Sequence, residues 1–293
     1  MARIAAEVEH ALTRRRQDGT AGRTTPRMIA RGNGWTVADV VCTCGPQDRP
    51  FEERHTHYTI AMVVAGSFQY RSALGDGLMT SGALMLGNQE QCFECGHQHG
   101  EGDRCVSFWY APDYFERLAA DAGARGRRLG FKVSRLPPLR PLAPLVARAT
   151  AGVLGADGIP WEELAVRLAT SALRSSAGVS SNPSGVPSNA EARVTRVARA
   201  IDRRPDAMLS LERLAREAGL SPYHFLRTFE RVTGITPYQY VLRSRLRDAA
   251  ARLLAESGKV VDVAFDCGFS DVSNFNRAFR SEFGVSPRIF RRT

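Results

Sequence analysis

Fourteen residues, CFECGHQHGEGDRC from Cys92 to Cys105, hold three cysteines and two histidines. Thiolate and imidazole are the ligands zinc prefers in four-coordinate sites. The candidate donors are Cys92, Cys95, His97, His99 and Cys105, joined by His55 and His57 from an earlier segment. If Cys95 to His99 is extended, Cys95, His97 and His99 project from one face, and His55 and His57 share a face likewise. Two such strands facing each other would surround an ion. Gly96 and Gly100 allow a turn instead, and the spacing matches no standard zinc finger. Two other readings stay open. Cys92 and Cys95 have C-x-x-C spacing, and Arg104 would favour a thiolate at Cys105, which suits a redox or electrophile sensor. Buried thiols and hydrogen-bonded histidines lining a barrel need no further role. Cys42 and Cys44 share one strand face and are further members of any such group.

These residues sit in a stretch of short strands. WTVADVVCTC, YTIAMVVAGSFQYRS, GALMLGN and RCVSFWY are rich in β-branched and aromatic residues and are separated by turn signals. That spacing predicts a small barrel or sandwich between Trp35 and Tyr110. Helical patterns follow in PDYFERLAADAG, LRPLAPLVARATAGVL and PWEELAVRLATSALRSS. Leu164, Leu168 and Leu173 form one apolar stripe, which packs either on the barrel or on a second copy of the chain. His10 lies in an N-terminal segment, about residues 1–25, expected to be disordered or frayed. The run from Ser175 to Asn189, rich in Ser, Gly and Pro, is expected to be a flexible linker. It divides a domain of residues 1–174 from one of residues 190–293.

The C-terminal domain repeats itself. Ala215, Gly219 and Ser221 recur 49 residues later as Ala264, Gly268 and Ser270. Phe225, Arg227, Phe229, Gly234 and Pro237 recur 50 residues later as Phe275, Arg277, Phe279, Gly284 and Pro287, so one residue is inserted within SDVSNF. Each unit is a short helix, a glycine turn and a longer helix, which is helix-turn-helix spacing. Gly219 and Gly268 suit the left-handed turn, and Ser221 and Ser270 are placed to cap the second helix. Phe225, Phe229 and Val232 form a buried stripe that Phe275, Phe279 and Phe283 nearly repeat. A continuous helix from about Thr236 to Ser257 joins the units. Cys267 falls on the inner face as a small apolar residue, and His224 belongs to the first long helix.

In such a unit the second helix enters the major groove and its exposed face meets base edges. Subtracting the buried stripe leaves Tyr223, Leu226, Arg227 and Arg231 outward on the first helix, and Val272, Ser273, Asn274 and Arg277 on the second. Arg suits guanine and Asn suits adenine. Arg227 and Arg277 could equally hold phosphates or pair within the chain. The charge agrees with an acidic partner: the net charge is +10, and residues 190–293 hold 19 basic and 12 acidic residues, most of that excess. Arginine abundance is weaker support, because only Lys132 and Lys259 are lysines.

AREAGLSPYHFLRTF and CGFSDVSNFNRAFRSEFGVSPRIFR resemble the signature of the AraC/XylS family of transcription regulators, over Val194 to Arg292. The resemblance implies two helix-turn-helix modules rigidly joined by a central helix and inserted into successive major grooves. It implies DNA contacts at Ser221, Tyr223, Leu226, Arg227, Val272, Ser273, Asn274 and Arg277; Leu226 departs from the polar residue many members carry. The strands also resemble that family's cupin-fold sensor domains. The expected fold class is therefore α+β, with a cupin-like barrel, flanking helices and an all-α C-terminal domain. The expected function is sequence-specific regulation of transcription, with the barrel sensing a metal, a thiol-reactive compound or another small molecule. Expected partners are promoter DNA, a second copy of the chain, and RNA polymerase if the protein activates.

A metal-dependent cupin enzyme fused to a DNA-binding domain is the rival. Such enzymes usually follow H-x-H with a nearby Glu, whereas after His57 no acid comes before Asp76. No catalytic residue is therefore expected and no cofactor is required, with zinc the candidate ion. A third reading is a barrel that binds a protein partner. A 43% hydrophobic, 24% charged composition fits a soluble globular protein. No apolar run approaches the ~18–20 residues of a membrane helix, and the first residues lack the apolar core of a secretory signal. A cytoplasmic protein with reduced thiols is expected.

Overall fold

The computed structural model describes residues 2–123, 130–177, 187–207 and 209–292. An opening helix α1 (Ala2–Asp18) precedes strands β1 (Thr24–Gly32), β2 (Trp35–Cys42), β3 (Phe51–Arg54), β4 (Tyr58–Ser72), β5 (Gly75–Thr80), β6 (Leu84–Gly87), β7 (Cys92–Gly96) and β8 (Asp103–Tyr110). Then come α2 (Pro112–Asp121), the two-residue strand β9 (Arg135–Leu136), α3 (Ala143–Val153) and α4 (Trp161–Ala177). The C-terminal half is helical: α5 (Ser188–Arg203), α6 (Leu211–Ala218), α7 (Pro222–Thr233), α8 (Pro237–Ala255), α9 (Val260–Asp266), α10 (Val272–Phe283) and α11 (Pro287–Phe290). The α+β expectation holds at this level. No described helix is long and apolar enough to cross a membrane.

The fifteen residues of β4 serve two antiparallel sheets. Its first half pairs with β8 and β6 in the order β1-β2-β8-β4-β6-β9. Its second half pairs with β5 and β7, and β7 carries β3. The strand bends at a register shift between Val63 and Ala65, followed by Gly66 at φ 77°. A Cβ on Gly66 would lie 2.4 Å from the Gly102 carbonyl oxygen, so only glycine fits the bend.

Strand alternation sorts the side chains. Ile60, Met62 and Val64 with Val106, Phe108 and Tyr110 face the helices and form the main core with α1 to α4. Ala61 and Val63 with Cys105 face the other way, toward Phe68, Tyr70, Met79, Met85 and Cys95 between the sheets. Leu164, Leu168 and Leu173 belong to the main core, so strands and helices of the same chain cover that stripe.

Two expectations are corrected. The N-terminal segment is ordered from α1 onward: Ile4, Val8 and Leu12, at i, i+4 and i+8, are buried in the main core. Helix α1 therefore packs on the strands, and its outer face, with His10, is exposed. The expected linker is shorter than Ser175–Asn189, because α4 continues to Ala177 and α5 begins at Ser188. Residues 178–186 lie outside the described residues.

The two halves pack together. Ala143 and Ala147 of α3 join the core around α8 and α10, and Leu78 of β5 joins the core of α5 to α8. Asp202 of α5, fully buried, accepts hydrogen bonds from Ser81 Oγ at 2.6 Å and Tyr240 Oη at 3.1 Å.

Candidate nucleic-acid interface and barrel cavity

The first helical unit starts where Ser210 Oγ accepts the Arg213 amide at 3.2 Å and caps α6. The helix stops at Gly219, φ 65°, the left-handed conformation that glycine adopts without steric cost. Ser221 Oγ accepts the His224 amide at 3.4 Å and Pro222 occupies the first turn of α7. Phe225, Phe229 and Val232 are buried against α5, α6 and α8. Helix α8 opens with a capping box in which Thr236 and Gln239 satisfy each other's amides.

The second unit repeats the glycine turn at Gly268, φ 84°, but α9 starts after Lys259 without a side-chain cap, and α10 is capped by a different residue. Asp271, not Ser270, caps α10, accepting the Ser273 and Asn274 amides at 3.0 and 2.9 Å. The expectation for Ser270 is corrected by the inserted residue: at the 50-residue offset Ser221 maps to Asp271. Phe275, Phe279 and Phe283 are buried as expected, and so is Cys267.

Tyr223, Arg227 and Arg231 are exposed on α7, and Ser273, Asn274 and Arg277 on α10; Leu226 and Val272 are half-buried. Arg227 Nη1 donates to Tyr223 Oη at 3.0 Å and its guanidinium lies 5.8 Å from the ring centroid, so the two side chains present one surface. Sequence reasoning missed Asn276 and Arg280, both exposed on α10. The repeat held the signal for Asn276, since the 50-residue offset maps Leu226 onto it.

The other candidate residues divide. A cavity of about 430 Å³ between the sheets is lined by Cys42, His55, His57, Cys95, His97, Asp103 and Cys105, among others. His55 is buried, with Nε2 2.9 Å from Tyr70 Oη and the ring stacked on Phe93 at 4.1 Å. Burial lowers its pKa to about 4. His57 is exposed beside Thr56. His97 is buried, with Nε2 2.7 Å from Asp103 Oδ2. Burial disfavours its charged form, yet the bonds to Asp103 and Cys42 carry it up to about 10.

The seven expected ligands do not converge. Strand β7 ends at Gly96, so His99 leaves the Cys95 and His97 neighbourhood and instead meets Ser188 Oγ at 3.2 Å. Three positions apart on a strand are opposite faces, so Cys92 is exposed and Cys95 buried, and the C-x-x-C pair cannot close. Arg104 does not activate Cys105: its guanidinium binds Asp39 at 2.7 and 2.8 Å and also Glu7. Burial instead pushes the Cys95 and Cys105 thiols well up. Cys42 is raised by a bond to Cys44 and by burial, and the same bond lowers Cys44. Among the described residues, Cys42, His97 and Asp103 bring donor atoms within 4.8 Å of one another, a grouping that the sequence spacing did not reveal.

The segment from β7 to β8 also touches α5. Arg199 donates to the carbonyls of Glu101 and Gly102 and to Ser67 Oγ. Gln69 Nε2 donates to Glu191 at 3.5 Å.

Two helix-turn-helix units on one connecting helix define the class of the C-terminal half, and comparison agrees. Residues 214–293 match the family model described as "Helix-turn-helix domain". The chain is 46% identical over 80 residues to the probable transcriptional regulator LumQ of Photobacterium leiognathi, covering 27% of this chain and 32% of LumQ. It is 40% identical over 78 residues to the transcriptional activator RhaS of Escherichia coli O139:H28, covering 27% of this chain and 28% of RhaS. A crystal structure from Chromobacterium violaceum, a transcriptional regulator of the AraC-type DNA-binding domain group, matches at 26% identity and TM-score 0.34, covering 36% of this chain and 95% of that one. The C-terminal segment of this chain is a helix-turn-helix domain, similar in sequence to segments of those transcriptional regulators. The match spans less than a third of the length of the two curated relatives.

Proposed function

We propose that the chain is a sequence-specific DNA-binding regulator of transcription, whose cupin-like barrel takes up an effector and alters promoter binding. The observation that carries this reading is the pair of outward helices, α7 and α10, at the two ends of one connecting helix α8. Their exposed faces carry Tyr223 with Arg227, and Ser273, Asn274, Asn276 and Arg277. Arginine and asparagine supply the bidentate donors that major-groove edges accept, while the basic surface contributes salt-dependent phosphate affinity. Arg199 and Asp202 support communication, because both tie the barrel to the helix that cores the first unit.

Selection of binding sequences from random duplexes, followed by footprinting, should show two protected major-groove segments about 10 bp apart. Arg227→Ala with Arg277→Ala should weaken the selected site at least ~100-fold at matched salt, about tenfold or more for each arginine. Unchanged affinity in the double variant would remove both arginines as readers.

A further inference from the structure

We propose that Cys42, His97 and Asp103 form a binding site for a thiophilic d-block dication, zinc(II) or a close chemical relative, in the wall of the barrel cavity. Their donor atoms lie within 4.8 Å of one another, and all three residues line the cavity. A tetrahedral ion with bonds of ~2.0–2.3 Å holds its ligands ~3.3–3.8 Å apart, so small side-chain rotations close the site. The residues are 4%, 5% and 5% exposed, which sets this grouping apart from the acidic clusters common on surfaces.

His97 Nε2 and Asp103 Oδ2 already lie 2.7 Å apart, so an ion between them takes the place of the proton they share. The Cys42 thiol completes the set from the neighbouring strand, where Cys42 stands opposite Asp103.

One thiolate, one imidazole and one carboxylate suit zinc and its relatives better than calcium or magnesium, which take oxygen ligands. The thiolate and carboxylate together balance the charge of a dication. Three protein ligands leave a fourth position facing the cavity, where water or a small effector can bind. Binding releases the Cys42 thiol proton, and that of His97 when it is charged, to solvent, so affinity falls as pH falls. His97 and Asp103 bracket the segment whose Glu101 and Gly102 carbonyls hold Arg199, which places the site next to α5.

The test uses the full chain, stripped of metal, reduced and free of DNA, titrated with cobalt(II). One equivalent should bind and give a thiolate-to-cobalt charge-transfer band with the intense visible bands of a tetrahedral site. Zinc(II) should displace it. Cys42→Ser should abolish the charge-transfer band, and His97→Gln should weaken binding at least about tenfold. Cys92→Ser, which alters an exposed thiol, should change neither. Folding of each variant is checked by circular dichroism. X-ray absorption of the zinc-loaded wild-type chain, independent of any variant, should show one sulfur neighbour. Absence of saturable binding at one equivalent, a charge-transfer band that survives in Cys42→Ser, or a zinc shell without sulfur overturns the proposal. Because no DNA is present, failure here leaves the regulator proposal standing.

Discussion

In the first helix-turn-helix unit, α7 ends against β9 and the residues that follow it. Arg135 Nη2 donates to the Thr233 carbonyl at 2.6 Å, and a Cβ on Gly234 would meet Pro137 at 2.8 Å. The core of that unit is shared with α5 and with Leu78 of β5. In the second unit α10 ends among its own aromatic rings. Phe279 lies 5.5 Å from Phe275, 4.4 Å from Phe283 and 5.4 Å from Phe290. Its contacts with the first half come through Ala143 and Ala147 of α3 and through Glu282, paired with Arg140 at 3.7 Å. Equal sequence spacing thus supports two differently anchored outward helices. The first is tied to the strands and to α5, and the second rests on an aromatic cluster and a helix packing. On the regulator proposal, α5 links the segment beside the cavity, through Arg199, to the core under α7.

The largest expected effect breaks the second unit. Phe279→Ala removes a fully buried ring and should cost about 3–5 kcal/mol, read from denaturant unfolding. Phe229→Ala removes the equivalent ring of the first unit, also fully buried, yet α5 and Tyr240 remain packed around the gap. The first variant should lose more stability and shorten the footprint to one segment. An equal or larger loss in Phe229→Ala would show that anchorage to the strands and α5 adds no local support.

The next effect lies at the junction. Asp202→Ala leaves Ser81 Oγ and Tyr240 Oη without their buried acceptor and should cost about 2–3 kcal/mol. Asp202→Asn keeps an acceptor and should cost less. Burial raises the folded pKa of this carboxyl above the ordinary 3.8, opposed in part by Arg247 and by Ser81 and Tyr240. Protons are then bound more tightly in the folded than in the unfolded chain. The resulting stabilisation is present below the unfolded value and is lost as pH rises through the folded one. Asp202→Asn should remove that decline; a wild-type and variant difference constant across pH would contradict it.

The contrast between the halves also explains what the sequence could disclose. The helical units were legible because short-range rules fix them: glycine at a left-handed turn, an oxygen at the cap, phenylalanines at i and i+4. The strands holding Val37, Ile60 and Phe108 were legible from composition, whereas β1, β3, β5 and β7 lack long apolar runs. The ordered N-terminus was hidden because Ile4, Val8 and Leu12 only become a buried face once a sheet lies beneath them. The cavity was hardest. Cys42, His97 and Asp103 meet through the antiparallel pairing of β2 with β8, where Cys42 stands opposite Asp103. His97 and His99 differ by two positions and yet part company, because the strand ends at Gly96.

The smallest expected effect separates the two caps. Ser221 offers one hydroxyl to one amide at 3.4 Å, and Ser221→Ala should cost about 0.5–1 kcal/mol. Asp271 offers a carboxylate to two amides at the positive end of α10, so Asp271→Ala should cost more than Ser221→Ala. Ser270→Ala should cost nothing measurable, because its hydroxyl is not the cap. The two backbone bonds, from Asn274 and then Ser273, hold the Asp271 carboxyl below its usual value. Its stabilisation is therefore complete above about pH 4 and is lost as pH falls through the folded value. Amide exchange at Ser273 and Asn274 should accelerate on acidification relative to a Ser221-capped reference at His224. If both caps loosen in parallel with pH, the carboxylate contributes no more than a hydroxyl would, and the two readers start their helices in the same way after all.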